Sequence, residues 1–256
     1  MIGLILGTSE GKKILSLLNK YTDDIFISTA TEYGGQLLKD YKYKVLNTKP
    51  LDLYELIYEI NKNGIDILLD ASHPYAEIIT NNALEACRKL GITYVRYERP
   101  KAAQYEDSHV INVKDYEELY LKIQNIDGTI LNTTGSTNVD KFINMKLKSR
   151  IVHRVLPSIK VMERCFSLGI ATEDIIAIKG PISFELNCSF IKEYNAKAII
   201  LKDSGIQGGT DEKIRAAIFM GIIALVIERK NTEVPNTFNN EETVVDFILG
   251  LIINKE

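Results

Sequence analysis

Short, β-branched apolar runs alternate with helix-length stretches from one end of this chain to the other, and that alternation limits the fold more than any single residue does. The strand-like runs fall at 2–6, 25–29, 43–46, 65–70 and 92–97, then at 110–113, 129–132, 151–155, 175–178, 198–201 and 222–227. Between them lie helical patterns at 9–19, 33–39, 51–62, 74–90, 116–123, 139–145, 159–168, 184–194 and 212–220, with a last one at 241–253. Strands joined by helices of that length cannot be hairpins; they are crossover units that build parallel sheets. The run Ile65-Asp66-Ile67-Leu68-Leu69 is nearly all apolar instead of alternating, as strands covered on both faces are. The expected class is therefore α/β with mainly parallel sheets.

With 256 residues the chain suits two modest domains. The polar stretch 100–107 is the best boundary, giving domains at 1–99 and 100–256. An internal echo supports two related halves. Leu90-Gly91-Ile92 opens a strand that ends in Glu98-Arg99, and Met220-Gly221-Ile222 opens one that ends in Glu228-Arg229, with the same glycine-to-arginine spacing of eight. Glycine at a helix C-terminus before a strand is common, so the echo alone does not establish a duplication.

Composition excludes several classes. The net charge is −3 and no run of like charge occurs, so no nucleic-acid footprint is expected. No apolar run reaches the roughly 18 residues of a membrane span. The first six residues are too short and too uncharged for a signal peptide and read as a strand. Cys87, Cys165 and Cys188 are odd in number and widely spaced, which argues for core residues and against a disulfide framework or zinc site. His73, His109 and His153 show no metal-ligand spacing, and no metal is expected. These features predict a cytoplasmic protein, monomeric or a small homo-oligomer.

Ligands of open parallel sheets bind beyond the carboxyl ends of strands, where loops lead into helix N-termini, so the strand exits are where chemistry is sought. The first, Gly7-Thr8-Ser9-Glu10-Gly11-Lys12, offers a glycine turn, two hydroxyls and a helix N-terminus able to hold an anion; its glycines do not fit G-x-G-x-x-G. The second, Ser28-Thr29-Ala30-Thr31-Glu32, lies about 20 residues on, where dinucleotide folds recognise ribose. Its hydroxyls ahead of Glu32 leave NADH and NADPH equally open. The third, Asp70-Ala71-Ser72-His73-Pro74-Tyr75-Ala76, puts Pro74 at a first helical position and His73 at the mouth of a crevice. In the second half, Lys202-Asp203-Ser204-Gly205 with Gly208-Gly209 repeats the anion-binding pattern with a cation at the strand exit. Asn132-Thr133-Thr134-Gly135-Ser136, Arg154-Val155-Leu156-Pro157 and Lys179-Gly180-Pro181 are further exits, and Arg96 and Arg99 close the fifth strand.

In this order, these segments resemble the precorrin-6A and cobalt-precorrin-6A reductases of cobalamin biosynthesis, over nearly the whole chain. Asp-Ala-Ser-His-Pro-Tyr-Ala and Lys-Asp-Ser-Gly are specific in combination. Leu6 stands where the family usually has a second glycine before Gly7. The resemblance implies two Rossmann-like domains with an interdomain cleft. It implies an oxidoreductase that passes a hydride from NADH or NADPH to a corrin-precursor tetrapyrrole, (cobalt-)precorrin-6A, giving (cobalt-)precorrin-6B. By position, Gly7, Thr8, Ser9, Glu10, Ser28, Thr29 and Thr31 would hold the cofactor. His73, Tyr75 and Lys202 would serve the reacting end, and Arg154, Ser204, Gly208 and Arg96 the substrate. A flat polycarboxylate ring needs a wide site and scattered cations, and a hydride donor carries the hard chemistry itself. The proton that completes the reduction is open among His73, Tyr75, Lys202 and solvent. Two alternatives stand beside this reading: a non-catalytic nucleotide-binding module, and a different enzyme acting on the same macrocycle, such as a methyltransferase.

Overall fold

The computed structural model describes residues 1–7, 11–101, 105–229 and 234–253. Their strands are β1 (Ile2–Leu6), β2 (Ile25–Ser28), β3 (Val45–Asn47), β4 (Ile67–Ala71), β5 (Thr93–Tyr97), β6 (Val110–Val113), β7 (Thr129–Asn132), β8 (Arg150–Val155), β9 (Ile175–Ala177), β10 (Ala196–Lys202), β11 (Ile223–Ile227) and β12 (Thr237–Phe238). The helices are α1 (Gly11–Leu18), α2 (Glu32–Gln36), α3 (Leu53–Asn63), α4 (Glu77–Leu90), α5 (Tyr116–Ile123), α6 (Val139–Asn144), α7 (Ile159–Ser167), α8 (Phe184–Glu193), α9 (Thr210–Phe219) and α10 (Glu241–Ile253). Starts are set by local chemistry. Asp52 and Glu55 form a reciprocal capping box on α3, and Asp115, Ser158 and Ser183 cap α5, α7 and α8, each satisfying backbone N–H groups that have no intrahelical partner.

Two compact units result. One comprises Met1–Pro100 with Thr232–Glu256, the other Lys101–Asn231. The first has a six-stranded sheet in the order β3-β2-β1-β4-β5-β12, and the second has one in the order β9-β8-β7-β10-β11-β6. Every pairing is parallel. Both orders are the doubly wound 3-2-1-4-5-6 arrangement, with the switch point between the first and fourth strands: β1 and β4 in one unit, β7 and β10 in the other.

Each sheet is covered on both faces, which is why its central strands read as unbroken apolar runs. Ile2, Leu4 and Leu6 pack into one core layer and Ile5 into the opposite one. In the second unit Ile199 and Leu201 face one layer, Ala198 and Ile200 the other.

The domain expected at 100–256 is corrected at its end. β12 pairs with β5, and α10 buries Val244, Val245 and Ile248 in the core of the first unit. Side chains of this kind contribute about 1.5–3 kcal/mol each when buried, so the first unit depends on the last stretch of chain. Tyr97 donates to Glu241 at 2.8 Å and Lys13 pairs with Glu241 at 3.1 Å, fixing that return. The second unit takes its sixth strand, β6, from its own beginning instead. A two-residue strand carries no periodic signal, so β12 is invisible until its partner is known.

Candidate active site

The first unit has a cleft of about 550 Å³ at its switch point. Its walls come from the carboxyl ends of β1, β2 and β4 and the turns that follow them, with Gly7, Ser28, Thr29, Thr31, Ser72, His73 and Tyr75 among the lining residues. Those strand ends meet because of register: Ile5 lies beside Ser28 on one side and Asp70 on the other.

Gly7 leaves β1 with its N–H donating to the Ala71 carbonyl at 3.1 Å. Thr8, Ser9 and Glu10 lie outside the described residues. α1 then begins at Gly11, where an added Cβ would stand 3.0 Å from Leu6 Cδ1 and 3.3 Å from Leu6 Cβ. A side chain here would require Leu6 to give by a few tenths of an ångström, so glycine suits a helix that starts this close to the strand it follows. The same need for close helix–strand packing is met by the third glycine of the dinucleotide fingerprint, and reading the loop for G-x-G-x-x-G missed it.

The three hydroxyls at the second exit are partly engaged. Thr29 Oγ1 donates to the Thr31 carbonyl at 3.0 Å, Ser28 Oγ accepts from Asn47 Nδ2 at 3.1 Å, and Thr31 Oγ1 caps α2 by accepting from Gly34 N at 3.1 Å. A hydroxyl has one hydrogen and two lone pairs. Ser28 and Thr31 thus keep an O–H to donate, whereas that of Thr29 is committed.

At the third exit the helix begins later than its proline suggests. α4 starts at Glu77 after Ala76, so Pro74 is not at a first helical position. His73-Pro74-Tyr75-Ala76 is a turn closed by Ala76 N donating to the His73 carbonyl at 2.8 Å. His73 is exposed at the rim and Tyr75 half-buried, their rings 5.9 Å apart. The Tyr75 N–H approaches His73 Nδ1 at 3.3 Å, an arrangement that suits a neutral ring protonated on Nε2.

Beneath this turn lies a buried polar network that sequence reasoning did not separate from the site. Asp70 is fully buried and accepts from Thr80 Oγ1 at 2.8 Å, Tyr94 Oη at 3.0 Å and Ser72 N at 2.9 Å. Arg96 Nη1 lies 2.8 Å from Asp70 Oδ2 and donates to Ser72 Oγ at 3.1 Å. Arg96, expected on the substrate, is only 4% exposed. It turns inward because burial of Asp70 requires a counter-charge, and its service is to hold the exit in shape. Burial first, and the Asp70 charge second, push the Tyr94 hydroxyl well above the usual phenol range. Arg99 and Lys49, which carried no assigned role, also line the cleft.

The second unit gathers the remaining expected residues at its own strand exits. Lys202 ends β10 half-buried, and its carbonyl accepts from Ser204 N at 2.8 Å. Asp203 takes the buried Arg229, whose Nε donates to the Asp203 carbonyl at 2.6 Å. Ser204 N also donates to Thr210 Oγ1 at 3.0 Å. The Gly208 carbonyl accepts from Lys213 Nζ at 3.1 Å. Arg154, near the end of β8, donates to Asn187 Oδ1 at 3.2 Å. Asn187 donates its own Nδ2 to the Ser183 carbonyl at 2.8 Å, which fixes Oδ1 toward the guanidinium. Lys213, which closes the Lys202-to-Lys213 exit segment and carried no assigned role, sits inside α9 and is buried. Among the described residues no helix is long and apolar enough to cross a membrane.

Two all-parallel sheets in doubly wound order, one with a ligand-sized cleft at its switch point, define a Rossmann-like α/β protein. The family described as "Precorrin-6x reductase CbiJ/CobK" matches residues 1–249. The chain is 37% identical to the cobalt-precorrin-6A reductase of Methanocaldococcus jannaschii, over 95% of this chain and 94% of that one. It is 32% identical to the cobalt-precorrin-6A reductase of Priestia megaterium, over 98% of each. The solved structure titled "CobK precorrin-6A reductase" superposes with a TM-score of 0.77 at 15% identity, covering 97% of this chain and 96% of that one, and shares the fold. The chain belongs to the precorrin-6x reductase family and is an oxidoreductase of corrin biosynthesis.

Proposed function

We propose that this chain reduces cobalt-precorrin-6A to cobalt-precorrin-6B with NADH or NADPH as hydride source. The observation that carries the reading is the conjunction of family membership with a cleft of nucleotide-binding position at the β1–β4 switch point. The cobalt form is preferred because relatives at 37% and 32% identity carry that name. The cleft fits a nicotinamide dinucleotide in kind. Leu6 lines it and packs close to Gly11, which puts the N-terminus of α1 next to β1, and its β2 side offers the O–H of Ser28 and Thr31 to donate. When bound there, the cofactor supplies the hydride.

The chain's own residues do the rest. Gly7 lets backbone approach the diphosphate, and Thr8, Ser9 and Glu10 share in binding the cofactor. Ser28 and Thr31 donate to the ribose, and Thr29 stiffens the exit through its bond to the Thr31 carbonyl. His73 and Tyr75 form the rim at the reacting end. His73, exposed at the rim with its Nδ1 accepting from the Tyr75 N–H at 3.3 Å, is the candidate we assign to proton delivery. Tyr75 orients it, and Lys202 supports the reduced ring by its charge. Arg154, Ser204 and Gly208 serve the substrate's carboxylates. Alignment of two reactants at near-attack distance supplies most of the barrier reduction such an enzyme needs.

The test is anaerobic absorbance at 340 nm with purified protein, NADH or NADPH, and precorrin-6A or its cobalt form. Loss of reduced nicotinamide that requires macrocycle is expected, and fastest with the cobalt form. No loss in any pairing, with folded protein and intact macrocycle, would overturn the reading.

A further inference from the structure

The buried network under the exit of β4 fixes the direction of the hydrogen bonds within it. The Asp70 carboxylate only accepts and the Arg96 guanidinium only donates. Thr80 and Tyr94 spend their O–H hydrogens on Asp70 Oδ2, at 2.8 and 3.0 Å. Arg96 Nη1 meets the same oxygen at 2.8 Å and reaches Ser72 Oγ at 3.1 Å. Ser72 Oγ is therefore an acceptor toward Arg96, and its own hydrogen must go elsewhere. Its other polar neighbour among the described residues is Thr80 Oγ1 at 3.4 Å. That is longer than the roughly 2.5–3.0 Å of an O–H···O bond.

Ser72 is half-buried and lines the cleft of the first unit beside His73 and Tyr75. Its amide is fixed on Asp70 Oδ1 at 2.9 Å, and its oxygen is held by a charged donor. A hydroxyl that accepts from a cation gives its own hydrogen more readily, because successive bonds polarise one another. The cleft wall thus carries an O–H that is strengthened and has no close acceptor among the described residues. Thr29 differs, since its O–H is committed to the Thr31 carbonyl at 3.0 Å. A dinucleotide lies across a switch point with one mononucleotide half on each side. Ser28 and Thr31 stand on the β2 side of this cleft. Ser72 follows β4 on the other side, next to the residues assigned to the reacting end.

We propose that Ser72 donates its O–H to an acceptor oxygen on the nicotinamide-riboside half of the cofactor, with Arg96 as the positioning residue that holds Ser72 in the donating direction. This inference rests on the reductase reading above. The nicotinamide carboxamide and the adjoining ribose hydroxyls both present an uncharged acceptor oxygen, and the probes below tell them apart.

Calorimetric titration of the purified protein with NADH, NADPH, ADP-ribose and ADP reads the contact without turnover. Ser72→Ala should weaken the preferred reduced dinucleotide about tenfold, the worth of one hydrogen bond, and leave ADP within about twofold. Ser72→Thr keeps the hydroxyl and should bind within about threefold of wild type. Ser72→Cys offers only a weak S–H donor; it should fall between, and it serves if the alanine variant misfolds. ADP-ribose weakens along with the dinucleotide if the acceptor is a ribose hydroxyl, and is unmoved if it is the carboxamide. Unchanged dinucleotide affinity in the folded variants would overturn the contact. So would an equal loss for ADP, the mark of a distorted cleft, or a Ser72→Thr protein as weak as Ser72→Ala. Arg96 is tested by coupling. In an Asp70→Leu, Arg96→Met background the Ser72 oxygen has lost its donor, and adding Ser72→Ala should cost less than about threefold. An undiminished loss there would remove Arg96 from the positioning role.

Anaerobic addition of cobalt-precorrin-6A to the same proteins separates this inference from the reductase reading. If wild type binds the dinucleotide through Ser72 yet does not oxidise it, the reductase reading falls and the Ser72 contact stands. If oxidation proceeds while Ser72→Ala binds as wild type does, the reading stands and the contact falls. A folded wild type that binds neither NADH nor NADPH overturns the contact.

Discussion

Removing the Asp70 carboxylate should cost the first unit a large part of its stability and loosen the cleft at the same time. Asp70 is fully buried and meets four donors: Arg96 at 2.8 Å, Thr80 at 2.8 Å, Tyr94 at 3.0 Å and Ser72 N at 2.9 Å. Asp70→Ala leaves Arg96 buried without a counter-charge, which costs about 3–5 kcal/mol, and strands two hydroxyls and an amide at about 1–3 kcal/mol each where water cannot reach them. The terms overlap in one network and do not add, so about 4–6 kcal/mol is expected, a large share of the 5–15 kcal/mol typical of a folded domain. Two units make one global unfolding energy ill-defined. Native-state hydrogen exchange on β4 and β5 is the fitting assay, with β10 and β11 as internal controls. Protection should fall in the first pair and hold in the second. Asp70→Leu combined with Arg96→Met should recover more than half of the loss, because both charges leave together. A loss below about 1 kcal/mol in Asp70→Ala, or a double variant no better than the single one, would refute the account of the network.

Three further outcomes follow from the same geometry. His153, 2% exposed and bonded to Asn132 at 2.9 Å, is pushed down to about 4 by burial. Its ordinary value is near 6.5, so the unfolded chain binds the proton first as pH falls, and stability is lost between about pH 6.5 and 4, by roughly 3 kcal/mol. Chemical denaturation of wild type and His153→Leu should show their difference changing by that amount across the window, and a constant difference would contradict it. His73→Gln should lower kcat about 100-fold while leaving nicotinamide affinity within twofold, the lower end for loss of a positioned acid; wild-type turnover would remove His73 from proton delivery. Gly11→Val should weaken nicotinamide binding at least tenfold in a folded protein, since its Cβ alone already stands 3.0 Å from Leu6 Cδ1, and fluorescence titration with unaltered affinity would dismiss the close approach.

Most of the fold was legible because period and length are local signals. The eleven strand-like runs and ten helical patterns correspond to eleven strands and ten helices of the structure, with ends displaced by a few residues. The displaced ends are informative. Pro74 looked like a helix start, but its turn is closed by the His73 carbonyl and α4 waits for Glu77. What no local pattern could give was partnership. β12 exists only as the neighbour of β5, so the last stretch was assigned to the wrong unit. Arg96 looked like a ligand cation because its partner, Asp70, is 26 residues away. Lys213, at the end of the second unit's exit segment, was given no role because a lysine one turn into a helix is usually solvated, and only burial marks it.

The echo at Gly91 and Gly221 gains meaning from the strand orders. Both glycines have a φ of +65°, a left-handed conformation that favours glycine. Each precedes the fifth strand of its sheet, and the arginine eight positions on is 5% exposed at Arg99 and 6% at Arg229. Counting registers outward from that anchor superposes the sheets residue by residue. Val95 lies beside Leu69, Leu69 beside Leu4, and Leu4 beside Ile27. In the second unit Leu225 lies beside Ile200, Ile200 beside Asn132, and Asn132 beside His153. One step further along the second strand, Ser28 in the first unit corresponds to Arg154 in the second. One strand position beyond the fourth-strand pair, Asp70 corresponds to Leu201, and then Ala71 to Lys202. At matching exits the first unit thus places a hydroxyl and a small residue, the second two cations. A nucleotide whose phosphates are held by backbone N–H groups needs close approach and small side chains, whereas a ring bearing several carboxylates needs fixed positive charge. One frame used twice, with hydroxyls at the exits of one copy and cations at those of the other, suits the proposed reaction, which needs both a nucleotide and a ring bearing carboxylates.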